Sequence, residues 1–151
     1  MKKYWAMKWI FLFLLSASGM MANAQTPRNW TDSQLLKPAV LAEAIRAGNH
    51  SPIVISVGPG ALIPGSVAIG MTRDQENLDK LKTYLAPLPR TSSIVIYCGC
   101  CPFEHCPNVR PAIDLLQKMK FTNYSLLDLP HNLKTDWMDK GYPVVKDSAG
   151  H

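Results

Sequence analysis

The apolar residues of this chain follow two alternating patterns. Residues 53–57 and 94–97 are apolar runs rich in β-branched side chains, the first interrupted only by Ser56, and residues 124–127 form a third short, largely apolar segment. Such runs are typical of strands that are buried on both faces of a sheet. The pattern therefore predicts three strands, and a shorter apolar piece at 67–69 follows the turn-rich segment "GPGALIPGS".

Between the strands, apolar residues recur every three or four positions, which is the spacing of an amphipathic helix. Pro38 occupies a first-turn position in the first such segment, and Gly48 and Asn49 end it. Leu81 and Leu85 share one face of the second segment. The four predicted helices are "KPAVLAEAIRAGN", "RDQENLDKLKTYLAPLP", "VRPAIDLLQKMKF" and a short last one in "NLKTDWMDKGYPVV", ending at Gly141.

Alternation of helices with apolar strands predicts an α/β fold. We expect a three-layer sandwich, with a central, mostly parallel sheet and helices on both faces. In such sheets, functional sites form where the strands end at their carboxyl termini and helices begin. The strand at 94–97 and the helix that begins near 109 flank such a junction.

All four cysteines of the chain lie at that junction, in "YCGCCPFEHCPN", which spans residues 97–108. Cys98 follows the strand directly, and Cys100, Cys101 and Cys106 lie on the loop. The clustering of every thiol in one loop makes this loop the candidate site.

The N-terminus has the layout of a secretory signal peptide. Lysines precede an apolar core, and Ala22-Asn23-Ala24 is an A-x-A cleavage site. We therefore expect residues 1–24 to be a signal peptide of bacterial type, cleaved after Ala24, and the mature protein to be periplasmic or secreted. The apolar core is too short for a membrane span, so we expect no stable membrane anchor after cleavage; an uncleaved anchor is the alternative.

Removal of residues 1–24 changes the charge of the chain. Three of its sixteen lysine and arginine residues are lost, and the thirteen that remain face eleven acidic residues, so the net charge falls from +5 to +2. No basic block remains that would follow a nucleic acid backbone, so we expect no nucleic acid partner. The remaining length suits a single domain, which we expect to be a monomer.

Three chemistries compete for the cysteine loop. A thiolate at a strand end before a helix can act as a nucleophile, because helix N-termini and nearby cations lower a cysteine pKa. Close thiols can also bind a soft metal, namely copper, zinc or an iron–sulfur cluster. An even number of cysteines in an exported chain can instead form structural disulfides, such as Cys98–Cys106 or Cys101–Cys106.

Four fragments, taken in order, resemble a single-domain rhodanese, a sulfurtransferase. They are "IVISVGPGALIPGSVAIG" with its I-P-G-S turn, "SSIVIYC", "VRPAIDLLQKMKFTNYSLLDL" and "DWMDKGYPV" with its W-x3-G-Y-P segment. The resemblance implies a rhodanese-like domain at 36–146, after a lead-in at 25–35 and before a C-terminal tail at 147–151. It also implies that the domain is a rhodanese-like version of the predicted sandwich.

The resemblance implies a sulfane-sulfur carrier. Cys98 would be the catalytic residue, carrying a persulfide for sulfur transfer, as in thiosulfate sulfurtransferases, or for thiol redox chemistry. Substrate-binding or resolving roles would fall to Cys100, Cys101, Cys106 and Arg110. The partners would be a small sulfur donor or a thiol acceptor, and no cofactor would be required.

The chain also departs from the rhodanese pattern. Residues 56–58 are Ser-Val-Gly where the family has Asp-x-Arg, and eleven residues separate Cys98 from Arg110 where the family has a short C-x4-R loop. These departures favour an alternative function, a non-catalytic rhodanese-like module. In that alternative Cys98, Cys100, Cys101 and Cys106 hold a soft metal.

Two polar residues near the last helix are further candidates. His131 follows the third strand, where it could reach the cysteine loop or cap a turn. Asp136 could cap the last helix or pair with Arg110. Trp137 is expected to pack in the core rather than to bind a ligand.

Overall fold

The computed structural model describes residues 30–48 and 52–145. The predicted signal peptide at 1–24, the first part of the lead-in and the C-terminal tail lie outside the described residues. Among the described residues, no helix is both long enough and apolar enough to cross a membrane.

Residues 30–48 and 52–145 contain five strands and three α-helices, which alternate except that β2 and β3 follow each other directly. The strands are β1 (Leu35–Leu36), β2 (Ile53–Ser56), β3 (Val67–Ala68), β4 (Ile94–Tyr97) and β5 (Tyr124–Leu127). The α-helices are α1 (Pro38–Ala47), α2 (Gln75–Leu85) and α3 (Val109–Lys118). Short 3-10 turns occur at Asp32–Gln34 and Phe103–His105, and a π-helical turn occupies Lys134–Met138.

The strands form one sheet in the order β1-β5-β4-β2-β3, and every neighbouring pair is parallel. Apolar side chains cover both faces of this sheet in two separate clusters. Leu81, Leu85 and Ile113 bring α2 and α3 onto one face. Leu41 and Trp137 bring α1 and the π-helical turn onto the other. The predicted α/β fold class with its central parallel sheet is therefore confirmed.

Two local features of the sequence set the ends of α1. Pro38 fits the first turn because the missing N–H has no helical acceptor there. Gly48 ends the helix with a φ of 68°, a left-handed conformation that favours glycine, and its N–H donates to the Ile45 carbonyl.

Strand β1 was missed by the sequence analysis. Leu35 and Leu36 pair with Leu126 and Leu127 of β5 and form one edge of the sheet. Two residues are too few to show a strand period, so only the pairing with β5 identifies them. Trp30, just before them, packs against the core.

The segment after β5 also differs from its prediction. A continuous short helix was expected up to Gly141, but the structure has a π-helical turn that stops at Met138. Trp137 is fully buried there, and its Nε1–H donates a hydrogen bond of 2.7 Å to the Pro143 carbonyl. This confirms the expectation that Trp137 is a core residue.

Candidate functional site

Cys98 lies directly after the central strand β4, whose four residues are all buried. The register of β2 with β4 aligns Ser56 with Tyr97, and the Val57 N–H donates to the Tyr97 carbonyl at 2.9 Å. The carboxyl ends of β2 and β4 therefore lie side by side. Rigid strands on both sides position Cys98, and only 2% of this residue is exposed.

Gly58 lies against the Cys98 sulfur. A Cβ atom placed on Gly58 would lie 3.0 Å from Cys98 Sγ and 3.3 Å from the Gly99 nitrogen. A side chain at residue 58 would therefore push on the thiol. The Ser-Val-Gly departure from the rhodanese pattern thus places a glycine where the thiol needs space, a role that the sequence analysis did not predict.

The segment after β5 holds the cysteine loop from the other side. The Leu133 N–H donates to the Gly99 carbonyl at 3.0 Å, and the Phe103 N–H donates to the Leu129 carbonyl at 3.2 Å. A Cβ on Gly99 would approach the Leu133 side chain to 2.9 Å. These contacts fix the backbone of the loop that carries Cys100 and Cys101.

The predicted cysteines do come together. Cys98 Sγ lies 3.4 Å from Cys100 Sγ, and Cys100 Sγ lies 3.5 Å from Cys101 Sγ. The three sulfur atoms all lie within 4.8 Å of one another. Cys106 is not one of these three, and its side chain acts on Cys98 as the largest cause of the shift in the Cys98 pKa. All four are free thiols, of which Cys98 and Cys106 are buried and Cys100 is exposed.

Asn108 is a further site residue that the sequence analysis missed. Its Nδ2 donates to Cys98 Sγ at 3.6 Å, and its Oδ1 accepts from the Arg73 N–H at 3.3 Å. The Thr72 hydroxyl donates to its main-chain carbonyl. Asn108 is buried, with 2% exposed, so its position is fixed and its amide is aimed at the sulfur. The signal available in the sequence was its place just before α3.

These contacts make Cys98 a thiolate at neutral pH. The side-chain hydrogen bond from Cys106 lowers the pKa of Cys98 most. Burial opposes this effect, and further hydrogen bonds from Cys100 and Asn108 lower the pKa to about 5.

The neighbouring thiols shift in the opposite direction. Burial and the hydrogen bond to Cys98 raise the pKa of Cys100 to about 12. The hydrogen bond to Cys98 also raises the pKa of Cys106 well above the usual range for a thiol. Cys98 therefore holds the negative charge, and Cys100 and Cys106 stay protonated as donors to it.

Arg110 lies in the first turn of α3, and its exposed guanidinium is 5.9 Å from the centroid of the Trp30 ring. Asp136 pairs with His131 rather than with Arg110: His131 Nδ1 lies 2.9 Å from Asp136 Oδ1. Asp136 Oδ2 accepts the backbone N–H groups of His131 and Asn132 at 2.7 and 3.0 Å. Asp136 therefore caps the turn, and His131 takes part in that cap.

The solved structures that share this fold include three at 15–18% sequence identity. One is the Alr3790 protein from Anabaena sp., with 18% sequence identity and a TM-score of 0.52, covering 73% of this chain and 90% of its own. The other two are proteins from Lactobacillus plantarum, each 15% identical, with TM-scores of 0.57 and 0.54. They cover 76% of this chain and 89% and 88% of their own.

Neither a family model nor a curated protein matches the chain. At these identities the three structures are evidence for the fold alone. The chemistry of this chain therefore depends on the geometry of its own cysteine loop.

Proposed function

We propose that the protein is a rhodanese-like sulfur carrier, in which the Cys98 thiolate accepts sulfane sulfur as a persulfide or takes part in thiol redox exchange. One observation carries the proposal. Cys98, whose pKa is lowered to about 5, lies at the carboxyl end of the central strand and accepts a hydrogen bond from the buried Asn108 amide. The rhodanese-like sequence fragments and the fold are further support.

The proposed reaction needs no group beyond the thiols and the donor. The Cys98 thiolate attacks the sulfane sulfur of a donor, a Cys98 S–S bond forms, and the S–S bond of the donor breaks to release its remainder as an anion. A thiol acceptor then attacks the outer sulfur of the persulfide, and the S–S bond to Cys98 breaks. The acceptor becomes the new persulfide, its thiol proton is released, and the Cys98 thiolate is regenerated. Hydrogen bonds from Cys106 and Asn108 stabilise that thiolate as the leaving group.

On the donor side of the site, the exposed Arg110 in the first turn of α3 is the basic residue that follows the cysteine loop. Arg110 is the candidate for attracting an anionic donor such as thiosulfate, because a guanidinium binds oxyanions in bidentate fashion. Replacing Arg110 by Gln should then weaken loading from thiosulfate more than loading from an alkyl persulfide, which has no oxyanion group for the guanidinium to bind. Equal effects on the two donors would remove Arg110 from the proposal.

Mass spectrometry after incubation with a sulfane-sulfur donor tests the central proposal. The wild-type chain should gain the mass of one sulfur atom, and peptide mapping should place it on Cys98. Cys98→Ser should lose the adduct, whereas Cys106→Ser should keep it. An adduct that persists without Cys98, or that never forms in the wild type, would refute the proposal.

A soft-metal module is the second candidate. It is favoured by the three sulfur atoms of Cys98, Cys100 and Cys101 within 4.8 Å of one another, since thiolates are preferred ligands of copper(I), zinc and iron–sulfur clusters. Metal analysis of anaerobically purified protein tests it. One equivalent of metal that is lost in Cys100→Ser but kept in Cys106→Ser would favour this module over the sulfur carrier.

Export remains part of the proposal. N-terminal sequencing of the protein from a periplasmic fraction should begin at Gln25, as the A-x-A site predicts. An intact Met1 in a cytoplasmic fraction would contradict it.

A further inference from the structure

Access to the sulfur atoms differs sharply within the cysteine loop. Cys98 is 2% exposed and Cys106 is 1% exposed, whereas Cys100 is exposed and Cys101 is intermediate. Gly58 and Asn108 lie against Cys98 Sγ within the protein. A thiol or persulfide carried on a peptide or protein therefore meets Cys100 before it can meet Cys98.

Cys100 is also close enough to exchange sulfur with Cys98. Their Sγ atoms lie 3.4 Å apart, so an outer sulfur carried on Cys100, one S–S bond of about 2 Å from its Sγ, can rotate to within reach of the Cys98 sulfur. The backbone on both sides of Cys100 is held, because Gly99 accepts from Leu133 and Phe103 donates to Leu129. The short distance therefore belongs to a fixed loop.

We infer that Cys100 is the thiol that exchanges sulfur with peptide- or protein-borne persulfides and thiols, and that it passes sulfur to and from the buried Cys98, which stores it. This inference rests on the proposed sulfur transfer and names the partner class and the route for it. In this inference only a donor that is too large to approach the 2%-exposed Cys98 needs the route through Cys100, so loading from a small inorganic donor depends on Cys100 less.

Both steps balance without an oxidant or a reductant. In the first, the Cys98 thiolate, 3.4 Å away, accepts the proton of Cys100, and the Cys100 sulfur attacks the outer sulfur of R–S–SH. Cys100–S–SH forms, the S–S bond of the donor breaks, and R–S⁻ leaves and takes the proton back from Cys98 as R–SH. In the second, the Cys98 thiolate attacks the outer sulfur of Cys100–S–SH. The products are Cys98–S–S⁻ and Cys100–SH, with the persulfide proton transferred to Cys100. Each step is a thiol–persulfide exchange of the same kind as thiol–disulfide exchange.

Cys101 and Cys106 are less suited than Cys100 to exchange sulfur with a peptide or protein. Cys106 is 1% exposed, so a thiol or persulfide on a peptide or protein cannot reach it. The Cys101 sulfur is 3.5 Å from that of Cys100, but less exposed. Cys100 alone combines exposure with direct contact to Cys98.

The test compares two donors on the same variants. Wild type, Cys100→Ser and Cys101→Ser are incubated with inorganic polysulfide or with a persulfide on a synthetic cysteine peptide, and the rate of persulfide formation on Cys98 is followed by mass spectrometry. The two donors serve as controls for each other, because a change in the Cys98 pocket itself would affect both.

Cys100→Ser should lose most of its loading rate from the peptide persulfide and a much smaller fraction of its loading rate from polysulfide, because the changed hydrogen bond to Cys98 affects both donors equally. Equal peptide rates in Cys100→Ser and wild type would overturn the inference and leave the sulfur carrier intact. If Cys101→Ser, and not Cys100→Ser, lost the loading rate from the peptide persulfide, the inference about Cys100 would also be overturned. Release of sulfide with formation of a Cys98–Cys100 disulfide would overturn it as well. No loading of wild type from either donor would refute the sulfur carrier itself.

Discussion

Removing the hydrogen bond from Cys106 should raise the pKa of Cys98, because that bond is the largest cause lowering it. A hydrogen bond to a charged group contributes about 1.5–3 kcal/mol. At about 1.4 kcal/mol for each tenfold change in the proton equilibrium, this corresponds to a rise of roughly one to two pH units. The midpoint of Cys98 reactivity in Cys106→Ala should therefore move from about 5 in the wild type to about 6–7.

The assay must measure the midpoint rather than a rate at one pH. At about pH 6 the wild-type thiolate fraction is about 90%, and in the variant it falls to about 10–50%. A more basic thiolate is also a better nucleophile, by roughly threefold to tenfold over the same change if the slope for disulfide exchange applies. The two effects partly cancel at one pH. Across a pH series of iodoacetamide alkylation, both the midpoint and the plateau at high pH should rise.

Cys106→Ser is the matched control, because its hydroxyl can still donate to the Cys98 sulfur. Its midpoint should stay closer to that of the wild type, and peptide mapping should assign the alkylation to Cys98 in all three proteins. Thermal unfolding checks that both variants are folded, since Cys106 is buried in the core. Equal midpoints for the Ala and Ser variants, or a wild-type midpoint near that of a free thiol, would refute the reasoning.

Three other substitutions test the packing around the site. Gly58→Ala places a Cβ 3.0 Å from Cys98 Sγ and should slow the alkylation of Cys98. Gly60→Ala is the control, because a Cβ there meets nothing within 4 Å and should leave the alkylation rate unchanged. Equal alkylation rates in the two variants would contradict the close approach of Gly58 to the thiol. Asn108→Ala should lower the free energy of unfolding by about 1–3 kcal/mol in urea titrations, because it leaves the Arg73 N–H without its acceptor; it should also raise the pKa of Cys98 less than Cys106→Ala does. Trp137→Ala should cost about 3–5 kcal/mol of unfolding free energy by the same measurement, and a loss below about 1 kcal/mol would show that the turn repacks easily.

The layers of the fold could be predicted from the sequence because their signals are local. A continuous β-branched run such as 94–97 and the helical spacing of Leu81 and Leu85 each lie within a few residues. The order of these segments was then enough to predict a parallel sheet with helices on both faces. The same order placed Cys98 at a strand end, and the structure agrees.

The sequence also determined that the site holds four thiols, since all of them occupy one loop. It could not distinguish their roles. Cys100 and Cys106 are both loop cysteines in the sequence, but one is exposed and the other is 1% exposed in the fold. Burial of a loop residue depends on which distant segments pack over it, and no periodic pattern records that.

Only the tertiary structure decided what surrounds the Cys98 sulfur. Gly58 reaches it because β2 and β4 pair in a register that aligns Ser56 with Tyr97. Asn108 is fixed beside it by contacts with Thr72 and Arg73 from the segment before α2. These contacts join residues far apart in the chain, so they follow from strand order and register. Local periodicity predicts which segments form strands and helices, but it does not set the register that brings those residues to one sulfur atom.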